Sequence, residues 1–380
     1  MTNPLLELKA LGQSVWLDDI DRGQLRSGLF ERLIVEDGLS GATGNPTIFE
    51  HAITHSSTYD EQIQHLLREG KSAQEIYEAL AMTDVRTVAD LLRPTYERTN
   101  GQDGFVSIEV SPSLAQDTEE TLAEVRRFWA TIDRPNLMVK IPSTQAGVPA
   151  IRQALAEGIN INITLIFSIE NYRQVAEAYF GALEERSAKG QDISRLASVA
   201  SFFVSRVDVL VDNLLEDKMK AVGSSAQQQK LKALEGKAAI ANARLAYQEF
   251  KHLFSGPRFA ALKQQGARVQ RPLWASTSTK NPAYRDVLYV EELIGPDTVN
   301  TMPLTTIESF HDHGRVRFSI EDRLPEATTQ LAALADAGIH YDQVTRRLQE
   351  EGVQKFTDSF HTLFECIDNK RKVLQQERGV

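Results

Sequence analysis

The feature that most limits the fold is a recurring alternation. Short apolar runs, each closed by polar residues, are separated by longer stretches with helical periodicity. Parallel strands need a crossover connection and a helix is the usual one, so this order points to repeated βα units around a parallel sheet. Eight runs fit, at 14–18, 38–45, 105–110, 137–141, 160–167, 197–204, 269–276 and 298–302. The second has poor strand propensity but is closed by the turn signal Asn45-Pro46; the seventh is interrupted by Pro272, and the eighth is marginal without the other seven. Between them, 23–35 reads as a helix, and Asp117 with Glu120 opens another along the stripe Leu122, Val125, Phe128, Trp129 and Ile132. Tyr172, Val175 and Tyr179 mark a third helix, and 231–254 reads as one long helix. The connections 47–103 and 207–268 are long enough for extra helices. After Ile320 no strand signal remains, and stretches from Ala327, Tyr341 and Val353 read as helices. The expectation is an α/β fold, a (β/α)8 TIM barrel with inserted helices and a C-terminal helical extension. Residues 1–380 form a single domain in this expectation, with 321–380 as a helical tail packed on the barrel.

Composition narrows the function more than the fold. A net charge of -10 argues against a general binder of nucleic acid or anionic membrane, and leaves only a local basic pocket for a small phosphate. The N-terminal residues lack the layout of a signal peptide and no apolar run reaches spanning length, so a cytoplasmic protein is expected. The one cysteine, Cys366, has no partner for an internal disulfide and reads as core packing beside Leu363 and Phe364.

In a barrel of this kind the active site lies at the carboxyl ends of the strands. The residues there are Asp18 or Asp19, Thr43, Asn45, Glu109, Lys140, Asn162, Thr164, Ser201, Arg206 and Ser276. Lys140 ends the run Leu137-Met138-Val139-Lys140-Ile141, with Met138 on its face; Pro142 then stops the ladder, and Ser143 or Thr144 can cap the next helix. A lysine withdrawn from water has its charged form disfavoured and can attack a carbonyl carbon as the free amine. The alternative is a strand-end lysine that reaches solvent or neutralises a carboxylate. With two carboxylates for proton transfer, amides and hydroxyls for sugar hydroxyls, and cations for a phosphate, the set suits carbonyl chemistry on a phosphorylated sugar.

The same residues carry a family resemblance. GATGNPTIFEHAI at 41–53, SIEVSP at 107–112, LMVKIPST at 137–144, GININITLIFS at 158–168 and WASTSTKNP at 274–282, in that order, resemble the longer bacterial branch of transaldolase, a class I Schiff-base aldolase by mechanism. The resemblance implies an enzyme of the pentose phosphate pathway. It would move a dihydroxyacetone unit from sedoheptulose 7-phosphate or fructose 6-phosphate to an aldose phosphate. It implies that Lys140 forms the Schiff base, that Asp18 takes the C4 hydroxyl proton, and that Glu109 and Thr164 position the water that shuttles protons. Asn45, Asn162 and Ser201 would hold the three-carbon fragment, with Thr43 close by, and Arg206 and Ser276 the phosphate. Phe203 stands where the related fructose-6-phosphate aldolases carry a tyrosine, which favours transfer over release to water. Two positions depart from the common pattern: Lys280 replaces an arginine near Ser276, and Gly44 replaces a threonine. Substrate-binding by Lys280 is carried over on that basis, as a point charge instead of a fork. No cofactor and no metal are implied, and the partners are small-molecule sugar phosphates, with no nucleic acid and no membrane, on a monomer or homodimer.

Other features have plainer explanations. Asp19 and Asp21 can form a solvated acidic loop, and Glu109 can be a simple ion partner of Lys140. His311-Asp312-His313 lacks a third ligand for a metal. GATGNP lacks the Gly-Lys-Ser/Thr ending of a phosphate loop and the spacing of a dinucleotide fingerprint. Residues 227–232 read as a solvated helix face. The competing functions are a free aldolase of the fructose-6-phosphate type and a catalytically silent sugar-phosphate-binding barrel.

Overall fold

The computed structural model describes residues 3–376. Eight parallel strands close into a barrel in chain order: β1 (Gln13–Leu17), β2 (Gly41–Thr43), β3 (Phe105–Glu109), β4 (Leu137–Pro142), β5 (Ile161–Ile166), β6 (Ser198–Phe203), β7 (Arg271–Ala275) and β8 (Thr298–Met302). β8 pairs with β1 and removes both sheet edges. Each strand falls on one of the eight apolar runs; β1 begins one residue earlier, at Gln13, and β4 continues one residue further, through Pro142. Buried on both faces, the strands show little of the alternation that marks half-exposed sheets.

Three local features shape the end of the barrel that matters for chemistry. β2 passes close to β1 because Gly41 has no side chain; a Cβ there would lie 2.4 Å from the Trp16 indole. β5 slips register between Ile163 and Ile166, with Leu165 at φ 60°, so its last residues are re-aimed as in a β-bulge. After β4, the Thr144 hydroxyl accepts from Gly147 N at 2.9 Å and so serves the start of helix Gly147–Ala156. A Cβ on Gly147 would meet the Pro142 carbonyl at 2.0 Å, so the turn that follows the Lys140 strand requires glycine.

Helical extents differ from the sequence pattern in three places. The 23–35 stretch is two helices, Arg22–Arg26 and Leu29–Glu36, because Gly28 takes φ 78° between them. The 231–254 stretch is likewise split, into the end of Ser225–Lys232 and Ala238–Ser255, around Gly236 at φ 67°. In the tail the opposite holds. The stretches from Tyr341 and Val353 are one helix, Tyr341–Gln376, unbroken by the helical Gly352. The tail also contains Leu324–Asp336, and both tail helices pack on the body. No helix among the described residues is long and apolar enough to cross a membrane.

Candidate active site

Period-two alternation carries one face of every strand into the lumen. Because Glu109 pairs in register with Lys140, and Lys140 with Asn162, their side chains stand side by side on adjacent strands. Lys140 Nζ donates to Glu109 Oε2 at 3.1 Å, and both residues are about 95% buried, at 5% and 6% exposure. Burial pushes the Glu109 carboxyl up from its ordinary range, opposed by the Lys140 charge and hydrogen bond. A carboxylate so placed can take the ammonium proton over one hydrogen bond, leaving a neutral pair and a free amine. The ion pair and the proton acceptor are the same contact.

Beside this pair, Asn162 Nδ2 donates to Ser107 Oγ at 3.0 Å, and Ser201 Oγ donates to Asn162 Oδ1 at 2.7 Å. This chain across the lumen fixes the amide's orientation. At the end of β1, Asp18 Oδ1 accepts from Thr43 Oγ1 at 2.7 Å, and Thr43 Oγ1 is 3.0 Å from Thr301 Oγ1 on β8. Asp19 turns away: it accepts from Gln24 Nε2 at 2.8 Å, and burial raises its carboxyl. The Thr164 hydroxyl is fully buried and has no hydrogen-bond partner among the described residues, an arrangement that leaves it for a water or a reacting group.

A cavity of about 310 Å³ opens above these groups. Nine of the twelve residues expected from the sequence line it: Asp18, Thr43, Asn45, Lys140, Ser201, Phe203, Arg206, Ser276 and Lys280. Glu109, Asn162 and Thr164 stand outside that lining, Glu109 directly behind Lys140. Asn45 caps helix Pro46–His55 through Oδ1, which accepts from Ile48 N at 3.1 Å. Arg206 lies in the first turn of helix Ser205–Ala221, the end at which the helix dipole favours an anion. Its guanidinium is 4.8 Å from the Phe203 ring, and burial pushes its pKa down against the charges of Asp18 and Glu109. Ser276, at φ 56°, reaches Ser205 Oγ at 2.9 Å, so β7 and the Arg206 helix are joined at the cavity wall. Lys280 lies at the rim and donates to Ser278 Oγ at 2.7 Å.

The remaining wall belongs to the tail. Phe356 roofs the cavity, its ring centroid 5.9 Å from Lys140 Nζ and 5.7 Å from Arg206 Cζ. Phe360 and Phe364 pack edge-on against Tyr77 of the same chain. Lys355 and Thr301 also line the cavity and were not expected. Thr301 was within reach of alternation along β8, which puts it on one face with Val299; nothing in the tail's sequence says where its helix lies. Elsewhere, Cys366 is half-buried with Sγ 2.9 Å from Thr54 Oγ1, a helix-to-helix contact and not core. His313 is 3.0 Å from both Asp286 and Asp312, and no group of three or more metal-ligating side chains occurs among the described residues.

The family model described as Transaldolase/Fructose-6-phosphate aldolase matches residues 15–367. The chain is 50% identical over 380 residues to a transaldolase of Acidothermus cellulolyticus, covering all of both chains. It is 47% identical over 376 residues to one of Trichodesmium erythraeum, covering 98% of this chain and 99% of the relative. A "Transaldolase 2" of Nostoc punctiforme is 49% identical over 376 residues, with the same coverage. The chain therefore belongs to the transaldolase/fructose-6-phosphate aldolase family, and its function is that of a transaldolase.

Proposed function

We propose that Lys140 is the Schiff-base nucleophile of this transaldolase and that the surrounding lumen residues divide the proton transfers between them. The observation that carries this is the 3.1 Å contact between Lys140 and Glu109, both buried, at the base of a cavity lined with cations. The Lys140 amine adds to C2 of a ketose phosphate, and loss of water gives an iminium ion. Glu109 takes and returns protons during that dehydration, through a water held by the Thr164 hydroxyl. Asp18 removes the C4 hydroxyl proton, the C3–C4 bond breaks, and its electrons move into the iminium to leave an enamine and a free aldose. The enamine carbon then attacks the aldehyde of an incoming aldose phosphate, the new alkoxide takes back the proton from Asp18, and addition of water to the iminium releases the new ketose and frees the Lys140 amine.

Asn45, Asn162 and Ser201, with Thr43, hold the hydroxyls of the three-carbon fragment, while Arg206, Ser276 and Lys280 hold the phosphate. The carbonyl chemistry is carried by the imine, without metal or cofactor. A cytoplasmic monomer or homodimer, organised as one domain with the tail as part of it, fits the same picture. Fructose-6-phosphate cleavage with release of free dihydroxyacetone is the second possibility. Phe203 favours transfer, since an apolar ring 7% exposed on the cavity wall offers no proton to the waiting enamine.

Incubation with fructose 6-phosphate followed by borohydride reduction tests the nucleophile. A reduced dihydroxyacetone adduct mapped to Lys140 is expected. No adduct in folded protein shown to bind the substrate overturns the imine. Assaying dihydroxyacetone release without an acceptor separates transfer from free cleavage.

A further inference from the structure

The cavity holds more positive charge than the groups assigned so far use. Its ionisable lining is Asp18, Lys140, Arg206, Lys280 and Lys355, in a chain whose net charge is -10. Lys140 has Glu109 as its ion partner, and Asp18 is hydrogen-bonded by Thr43. Arg206, Lys280 and Lys355 have no carboxylate at ion-pair distance among the described residues. By contrast Arg126, Arg127, Arg134 and Arg258 on the outer surface each sit against one. Lys280 is pushed down from the ordinary lysine range by burial and then by the charges of Lys355 and Arg206, against the pull of Asp18, and all three cations line the same cavity. Three converging, unpaired cations are unfavourable until an anion enters.

The tail helix holds Lys355 at this rim by contacts on either side of it. Val344, Leu348, Gly352, Phe356 and Phe360 recur at every fourth position and form the buried stripe. Gly352, three residues before Lys355, allows the closest approach. A Cβ there would lie 2.8 Å from Leu165 Cδ2, on the bulged end of β5, and 3.7 Å from Arg206 Nη1. Glycine costs about 1 kcal/mol relative to alanine inside a helix, so a helix that carries it here gains proximity in return. Gln349 donates to the Ser143 carbonyl at 3.1 Å, and Phe356, the next residue after Lys355, packs against both Lys140 and Arg206. The helix is thus docked on β4, β5 and the Arg206 turn together.

We infer that Lys355 is a phosphate-binding residue: delivered by the C-terminal helix, its ammonium completes with Arg206 and Lys280 a three-cation cradle. The cradle selects phosphorylated over unphosphorylated aldoses. This rests on the sugar-phosphate Schiff-base reaction proposed above. A lysine suits the position, because a flexible point charge at a rim can follow the phosphate of donors and acceptors of different length.

The test uses the full chain carrying Lys355→Gln or Lys355→Arg, with glyceraldehyde 3-phosphate and glyceraldehyde as alternative acceptors. In a ping-pong reaction kcat/KM for the acceptor reports the second half-reaction alone, so impaired donor binding does not confuse it. In Lys355→Gln, the preference for the phosphorylated acceptor is expected to fall by about tenfold to hundredfold, the size of one lost charge-assisted contact. Lys355→Arg is expected to restore most of it. An equal fall for both acceptors, or no change, overturns the assignment. Borohydride trapping at Lys140 in the unaltered protein checks the underlying chemistry separately. If no adduct forms there, calorimetric titration with inorganic phosphate decides: binding about tenfold weaker in Lys355→Gln sustains the cradle, and equal binding ends it.

Discussion

At the scale of single residues, the site depends on a buried pair whose two members have opposite needs. Burial disfavours the charge on Glu109, and the Lys140 ammonium beside it opposes that effect. Moving one proton across 3.1 Å dissolves the pair into two neutral groups, one of them a nucleophile. Glu109→Gln keeps a hydrogen-bond acceptor for Lys140 but cannot accept that proton. We expect kcat to fall about 10²- to 10⁴-fold, the usual range for a lost general base, with the fold unchanged by circular dichroism. Adduct formation at Lys140, followed by borohydride trapping in rapid-quench mode, should slow in proportion. A variant that traps adduct at the original rate excludes Glu109 from imine formation. These residues were legible in the sequence because each sits at the carboxyl end of a strand, where period-two alternation alone decides which side chains enter the lumen. Asp18 and Asp19 were not separable that way. Their difference is set by Thr43 on one side and Gln24 on the other, contacts that depend on how β2 and the helix Arg22–Arg26 are packed.

At the scale of elements, strands were easier to read than helices. A strand buried on both faces is a short apolar run whatever it packs against. Helix length depends on what a glycine does, and that is a tertiary matter. Gly28 and Gly236 take positive φ in the breaks between helices, whereas Gly352 lies inside one, where Leu165 and Arg206 pack close against it. Gly352→Val should therefore lift the tail helix off the cavity and displace Lys355 and Phe356. A shift near 1 Å in a positioning element costs about 10² in kcat/KM for phosphorylated substrates, and steady-state assay would show it. Unaltered kinetics would mean that the helix does not need this approach. A second junction is built on Asp208, in helix Ser205–Ala221. It accepts from Ala239 N at 2.8 Å and from Tyr289 Oη at 2.9 Å, and burial raises its pKa to about 7. A carboxyl that holds its proton in the fold but not in the unfolded chain loses stability as pH rises from its unfolded value, near 3.8, through 7. Relative to Asp208→Asn, the protein should lose about 3 kcal/mol between pH 5 and pH 8 in urea unfolding. A constant difference across that range would show that Asp208 is ionised throughout.

At the scale of the molecule, the question is whether the tail is an appendage or part of the barrel's own core. Its stripe from Val344 through Phe356 and Phe360 to Leu363 and Ile367 is almost fully buried, in one cluster with Phe49, Tyr77 and Leu165 of the body. Removing such a helix uncovers the roof of the active site and a strip of apolar surface together, so the barrel and tail should unfold as one unit. The chain supplies two probes for this. All three tryptophans, Trp16, Trp129 and Trp274, lie in the barrel, and the only cysteine, Cys366, lies on the tail helix beside Thr54. In a urea titration, tryptophan fluorescence and the reactivity of the Cys366 thiol should share one midpoint and one slope, because a single cooperative transition exposes both. A thiol that becomes reactive at lower urea than the fluorescence change would mean that the tail opens by itself. The active site would then lose Lys355 and Phe356 while the Lys140–Glu109 pair below them stayed folded. Coincident curves would instead tie substrate selection at the mouth to the stability of the whole barrel.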